Sequence, residues 1–137
     1  MTKLRLLCFA YAAALLGAAS LNYVPGLTDA EGRAFGIFAL DIYDDLLHLA
    51  SALWALTAGL LSHRAARSFL LLFGTLYLAD GLLGLATGSG YLDLGILNYG
   101  FQDLPFGFKI LANLPHITLG GVALAAALLD KRRGFAA

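Results

Sequence analysis

Two histidines in this chain stand at matching positions of two similar segments. His48 lies three residues after Asp45 in FGIFALDIYDDLLHLASALWAL, and His116 lies three residues after Asn113 in ANLPHITLGGVAL, which follows LGILNYG. Imidazoles bind metals and carry protons near neutral pH, and a carboxylate or amide one helical turn away can orient the ring. The pattern predicts that both histidines lie in the first turns of their helices and face a shared polar pocket, with Asp45 and Asn113 as equivalent partners.

Further carboxylates accompany His48. Asp41, Asp44 and Asp45 precede it at helical spacing, so a helix would place all four side chains on one face. Two interpretations stay open. The acids could cap the helix, with the histidine bonded inside the capped turn. Alternatively, His48 and His116 could bind a divalent metal ion together with Asp44 or Asp45, with water as a further ligand.

Haem b is another candidate ligand of the histidine pair. Two histidines on facing helices can hold a haem iron from opposite sides. Ala52 and Gly120 each follow a histidine by four residues and would leave room for a porphyrin. Against this interpretation, histidines in the first turns of their helices would lie close to the surface.

Asp80 is an acidic residue inside a strongly apolar stretch, LLLFGTLYLADGLLGLA. Ionisable groups in such stretches are functional candidates because lipid solvates them poorly. We expect Asp80 to point into the helix bundle, either as a hydrogen-bonded packing residue or as a proton-accepting group below the histidines. The chain has no catalytic Ser-His-acid spacing and no phosphate-binding glycine loop, so its sequence does not favour an enzyme.

The highly apolar composition of the chain indicates a membrane protein. Apolar residues make up 60% of the 137 residues and charged residues 13%, against about 45–50% and about 25% in soluble domains. Apolar stretches at about 4–23, 45–61, 69–86 and 111–129 are each near the length that crosses a bilayer. The sequence therefore predicts a single all-α domain over 1–137, a bundle of four transmembrane helices with the lipid bilayer as its surroundings.

The charges in the connecting segments alternate in sign along the chain, with Arg33 and Lys109 as exceptions. The basic group is Lys3, Arg5, Arg64, Arg67, Lys131, Arg132 and Arg133, and the acidic group is Asp29, Glu31, Asp41, Asp44, Asp45, Asp93 and Asp103. Basic loops stay in the cytoplasm, so we predict a multi-pass protein of a bacterial inner membrane with both termini cytoplasmic. The first stretch resembles a signal peptide, but its loss would break the alternation, so we expect it to be retained. The basic residues are too dispersed for nucleic-acid binding.

The repeated segments predict two similar helical hairpins, related by an axis along the membrane normal. Between the third and fourth stretches, YLDLGILNYGFQDLPFGF is rich in glycine and aromatic residues. Such a segment is typical of a short interfacial helix on the outer surface. Small residues at helical spacing, such as Gly121 with Ala125, would allow close packing within the chain or in a homo-oligomer or larger membrane complex.

These motifs together resemble a group of bacterial four-helix membrane proteins classified as domain of unknown function 4383. The matching positions are Gly36, Asp45, His48, Arg64, Phe73, Gly74, Tyr77, Asn113 and His116. The resemblance implies the four-helix fold and no activity. We therefore expect a non-enzymatic accessory subunit or self-associating bundle with a polar site near its outer surface, or, as the alternative, a haem- or metal-binding redox or proton-relay protein.

Overall fold

The computed structural model describes residues 1–38 and 40–131, and this part of the chain is all-helical apart from two isolated β-bridges in the segment after the first helix. One 3-10 turn, Leu21–Tyr23, follows α1. The α-helices are α1 (Lys3–Ser20), α2 (Ile42–Leu61), α3 (His63–Thr87), α4 (Gly95–Tyr99) and α5 (Phe106–Leu129). Arg132 and Arg133, which we expect to anchor the basic side, lie outside the described residues.

Local sequence sets where the helices begin. Asp41 caps α2, and Asp44 returns a bond to the Asp41 amide, which forms a capping box. Ser62 ends α2 and also caps α3, because its hydroxyl accepts a hydrogen bond from the Ala65 amide at 3.0 Å. The connection between these helices is therefore a single residue, which makes α2 and α3 antiparallel neighbours.

The long helices overlap the predicted apolar stretches. α3 begins at His63 instead of about 69, and α5 also begins earlier than predicted. It starts directly after Pro105, so Pro115 lies inside the helix and His116 lies in its third turn. The prediction that His116 occupies a first turn is wrong. His48 likewise lies at the end of the second turn of α2. A short helix, α4, does lie between the last two long helices; its position at a membrane interface stays a prediction.

The long helices pack in two pairs, α1 with α2 and α3 with α5, and both α1 and α2 also contact α3. Glycines bring α3 and α5 together: a methyl group on Gly74 would lie 2.5 Å from the Leu124 amide nitrogen. Aromatic rings fill the interior, with Tyr77 stacked on Phe73 at 3.9 Å between ring centroids. This close packing fixes the register of α3 against α5 and hence the relative heights of their polar residues.

The surface of the bundle is apolar and its interior partly polar. On α2 the exposed side chains include Leu46, Leu49, Leu53, Leu56 and Leu60, while its buried residues are all small or polar. Three segments, Lys3–Tyr23, His63–Thr87 and Phe106–Leu129, are long and apolar enough to cross a membrane. The polar residues in the first two turns of α2 lower the mean hydropathy of that helix. These are the residues that it contributes to the candidate site.

Candidate functional site

A cavity of about 680 Å³ lies at the acidic end of the bundle, where α2 begins and α3 ends. Residues between 88 and 108 line one side of it, so this segment covers the cavity. Its walls include the aromatic side chains of Phe38, Tyr99 and Phe108. The charged, imidazole and amide groups that line it are Arg33, Asp44, His48, Asp80, Asp93, Gln102, Asn113 and His116.

The two predicted histidines meet in this cavity. His48 from α2 and His116 from α5 have ring centroids 5.9 Å apart, with the rings nearly perpendicular at 87°. His48 is 6% exposed, and its Nδ1 is buried without a hydrogen-bond partner. The placement of both imidazoles at one pocket is confirmed. An unpartnered buried nitrogen costs about 1–3 kcal/mol, so this ring edge lowers the stability of the bundle.

Asp80 orients His116. Its Oδ2 lies 2.5 Å from Nδ1 of His116, and its Oδ1 accepts hydrogen bonds from the amides of Tyr91 and Leu92 at 2.8 and 2.9 Å. The side chain points into the bundle as predicted, and the residue is 3% exposed. Hydrogen bonds from three donors stabilise an ionised carboxylate. Asp80 therefore fixes the imidazole and the covering segment at the same time.

Asn113 does not orient His116, contrary to prediction. Its side-chain amide donates to the Lys109 carbonyl at 2.8 Å, one turn earlier in α5. Asn113 does line the cavity, and it also packs against Gly84 of α3. The repeat correctly identified a polar residue next to the histidine, but the partner of His116 comes from α3.

Asp45 is also not equivalent to Asn113. Its Oδ2 accepts a hydrogen bond from the Tyr23 hydroxyl at 2.9 Å, and its Oδ1 is buried without a partner. Asp45 is not among the residues that line the cavity. It ties the end of the first helical segment to α2, and among the described residues no hydrogen bond joins it to His48.

The remaining acids at this end combine capping with cavity lining. Asp44 bonds to the Asp41 amide at 3.0 Å, so the capping interpretation holds for these two residues, and Asp44 also lines the cavity. Asp41 accepts a hydrogen bond from Tyr99 at 2.8 Å. Burial opposes ionisation of Asp41, but hydrogen bonds from Asp44 and Tyr99 outweigh it and lower the Asp41 pKa. The same bond raises the Tyr99 pKa, and it attaches α4 to the start of α2.

Aromatic side chains pack behind His116, on the side toward the basic end. The Tyr77 ring lies 4.8 Å from that of His116, and its hydroxyl bonds to Ser51 of α2 at 2.9 Å. Beyond Tyr77 toward the basic end, the interior is filled by Phe69, Leu70 and Phe73, each at most 1% exposed. In the part of the chain that the structure describes, the polar residues of this site thus stop halfway through the bundle.

These residues do not fit a haem held between the histidines. A porphyrin needs a flat slot across the line that joins its two axial ligands. Tyr77 fills one side of that line, because its ring packs on His116 and its hydroxyl reaches Ser51. Across residues 1–38 and 40–131, no group of three or more His, Cys, Asp or Glu side chains is placed to hold a metal ion. His48, His116 and Asp44 therefore share a cavity without forming the predicted three-ligand set.

A second polar cluster, centred on His63, lies at the basic end, and the sequence analysis did not predict it. Its Nδ1 lies 2.9 Å from the Thr2 hydroxyl, and its Nε2 lies 2.8 Å from an oxygen of Asp130. The cluster joins the start of α1, the start of α3 and the end of α5. The single acid at the edge of the basic tail, Asp130, was the signal in the sequence that could have revealed it.

Comparison of the chain with family models, with curated proteins and with solved structures finds no match. The geometry of the site therefore carries the functional argument.

Proposed function

We propose that the chain is a four-span protein of a bacterial inner membrane, with α1, α2, α3 and α5 as the spans and both termini in the cytoplasm. The length and mean hydropathy of three helical segments support this. The pattern of burial in α2 supports the fourth span. Small and polar residues of α2 are buried and its leucines are exposed, as suits a helix surrounded by lipid. The alternation of loop charges supports the orientation. Membership of the four-helix family that the motifs resemble is part of this proposal.

We further propose that the protein is a non-enzymatic binding protein, acting as an accessory subunit of a larger complex or as a homo-oligomer, and that it takes a small molecule into the outer cavity. One observation carries this proposal: His48 and His116 both line that cavity, with their ring centroids 5.9 Å apart. A molecule bound there could form hydrogen bonds with both imidazoles.

The lining indicates the chemistry of the molecule. Asp44, Asp80 and Asp93 bring three carboxylates to the cavity, while Arg33 is its one guanidinium among the described residues. Aromatic and aliphatic side chains form the walls. This combination favours an apolar molecule with a cationic or hydrogen-bond-donating end. The packed aromatic interior beyond Tyr77 favours binding from one side over transport across the bundle.

A divalent metal ion is the second candidate. The distance between the histidine rings is compatible with one ion bound by a nitrogen of each, at about 2 Å per bond. The carboxylate of Asp80 behind His116 is a common arrangement in metal sites, because it fixes the ring and raises the basicity of the other nitrogen. Such an ion would complete its shell with water or with the small molecule.

The test begins with an absorption spectrum and a metal analysis of the protein purified in mild detergent. Thermal unfolding is then measured with Zn²⁺ and, separately, with n-octylamine. We expect at least one of them to raise the melting temperature of the wild type and to have no such effect on His48→Leu or His116→Leu. The control is Leu49→Ala, which changes an exposed residue of α2. A wild-type protein that responds to neither probe, or variants that respond as the wild type does, would contradict the proposal.

A further inference from the structure

A second cavity, of about 580 Å³, lies at the opposite end of the molecule between α1 and α5. Its walls are apolar and come from both helices: Leu4 and Leu7 of α1, and Ala126 and Leu129 of α5. Lys3 and Lys131 also line it, one at the start of α1 and the other just after the end of α5. The cavity therefore combines an apolar interior with cations from two separate segments.

The packing of the helices leaves this cavity open at the side. α5 packs extensively on α3, and α1 packs extensively on α2 and also contacts α3, but α1 and α5 make few direct contacts. Halfway along, the Tyr11 hydroxyl bridges them by donating a hydrogen bond to the Leu119 carbonyl at 2.5 Å. Below this bridge, the groove between the two helices faces the surroundings of the bundle.

The hydrogen-bonded cluster at this end positions the two lysines. Thr2 and Asp130 are both bonded to His63, at 2.9 and 2.8 Å, and each is the direct neighbour in sequence of one lysine. The cluster thus holds the end of α1 and the end of α5 at a fixed separation. The same contact engages Asp130, the one carboxylate that lines this cavity among the described residues, in a hydrogen bond with His63.

Arg5 is not available to compete for a ligand here. Its guanidinium donates to the carbonyls of Gly59 and Leu60, at 2.7 and 2.9 Å, and so closes the end of α2. Lys3 and Lys131 are exposed, and their side chains are long enough to reach a headgroup from the edge of an apolar surface.

We propose that this cavity binds an anionic phospholipid, with the phosphate between Lys3 and Lys131 and an acyl chain along Leu4, Leu7 and Leu129. The inference rests on the proposed membrane function, because it needs this end of the bundle in the cytoplasmic leaflet. Basic pockets between transmembrane helices on that side are suited to anionic headgroups. The lateral opening between α1 and α5 gives the acyl chain a path from the bilayer.

Native mass spectrometry of the full chain, with phosphatidylglycerol or phosphatidylcholine added, tests the proposal. We expect one phosphatidylglycerol to bind more tightly than phosphatidylcholine. In the double variant Lys3→Gln/Lys131→Gln, we expect its affinity to fall roughly 20- to 30-fold, from the contribution typical of two lysines near a membrane surface. Lys109→Gln is the matched control, since it removes a lysine near the other end of α5 and should leave the affinity unchanged.

A second variant separates loss of the site from loss of folding. Leu7→Trp fills the cavity without changing its charge and should also weaken binding, while circular dichroism reports whether each variant keeps its helices. Equal affinity for the two lipids, a double variant that binds as the wild type does, or displacement of phosphatidylglycerol by millimolar inorganic phosphate would overturn the lipid site. A protein that alkaline carbonate extracts from membranes would instead refute the proposed membrane placement, so the two failures are distinguishable.

Discussion

The hydrogen bonds of Asp80 predict how much this residue contributes to the stability of the acidic end. In Asp80→Asn, the amide oxygen can still accept from the Tyr91 and Leu92 amides, but the amide nitrogen faces Nδ1 of His116 as a donor. The charged bond to the imidazole is lost, and the ring must place its proton on Nε2. A hydrogen bond to a charged group contributes about 1.5–3 kcal/mol, so we expect the free energy of unfolding to fall by about 2 kcal/mol.

Asp80→Ala removes all three bonds and leaves two amides and one imidazole without partners. Because each of these buried groups then costs desolvation energy, we expect a larger loss, about 4 kcal/mol. Unfolding in detergent, followed by circular dichroism as the denaturing detergent SDS is added, measures both values. Nitrogen NMR of the imidazole reports the tautomer in the Asn variant. The exposed Asp103 gives the control, since Asp103→Asn should change the stability by less than about 0.5 kcal/mol. Equal stabilities of the two Asp80 variants and the wild type would refute this account of the site.

Three further changes test other parts of the structure. Gly90→Ala should destabilise the protein by about 1–3 kcal/mol in the same assay, because the added methyl group would lie 2.5 Å from Oδ1 of Asp80, whereas Gly107→Ala adds a methyl group in open space and should have little effect. The pKa of Asp41 is lowered in the folded protein, so its stabilisation is present above the unfolded pKa of about 3.9 and is lost as the pH falls from there through the lower, folded pKa. Asp41→Asn should therefore flatten the acid limb of a stability–pH curve, and an unchanged limb would contradict the capping account. A cysteine at the exposed Ser68 should react with a membrane-impermeant maleimide only after intact cells are opened, and ready labelling of intact cells would reverse the predicted topology.

The sequence predicted the histidine pair for a physical reason. An imidazole in an apolar helix needs a polar neighbour, and similar segments around His48 and His116 indicated that the two rings would serve each other. It could not predict that Asp80 would be the partner of His116, because that contact depends on the register of α3 against α5. Close contacts at Gly74 and Gly120 set this register, and spacing within one helix does not report it.

Helix ends limited the prediction in the same way. The sequence placed the fourth apolar stretch at about 111–129, but it left the start of the helix open, because Pro115 suits a first turn and is also tolerated as a kink. The helix begins after Pro105 and accommodates the second proline in its interior. His63 gave no signal in the sequence, because it sits in a short turn between helices. Its partners, Thr2 and Asp130, are distant in sequence and approach it only when the ends of α1 and α5 converge.

The two histidines belong to different helix pairs, and this has a mechanical consequence. Near the basic end, the bond between His63 and Thr2 joins the pairs; halfway along, Tyr11 crosses from α1 to α5; at the acidic end, His48 of one pair meets His116 of the other. Each of the three contacts links the two helix pairs at a different height in the bundle. The first two contacts are direct hydrogen bonds within the chain. The contact at the acidic end is an edge-to-face ring contact, which a bound molecule would strengthen. A molecule that fills the cavity at the acidic end would add to the Ser51–Tyr77 hydrogen bond that already joins α2 to α3 there, and so would tie the two helix pairs together more firmly.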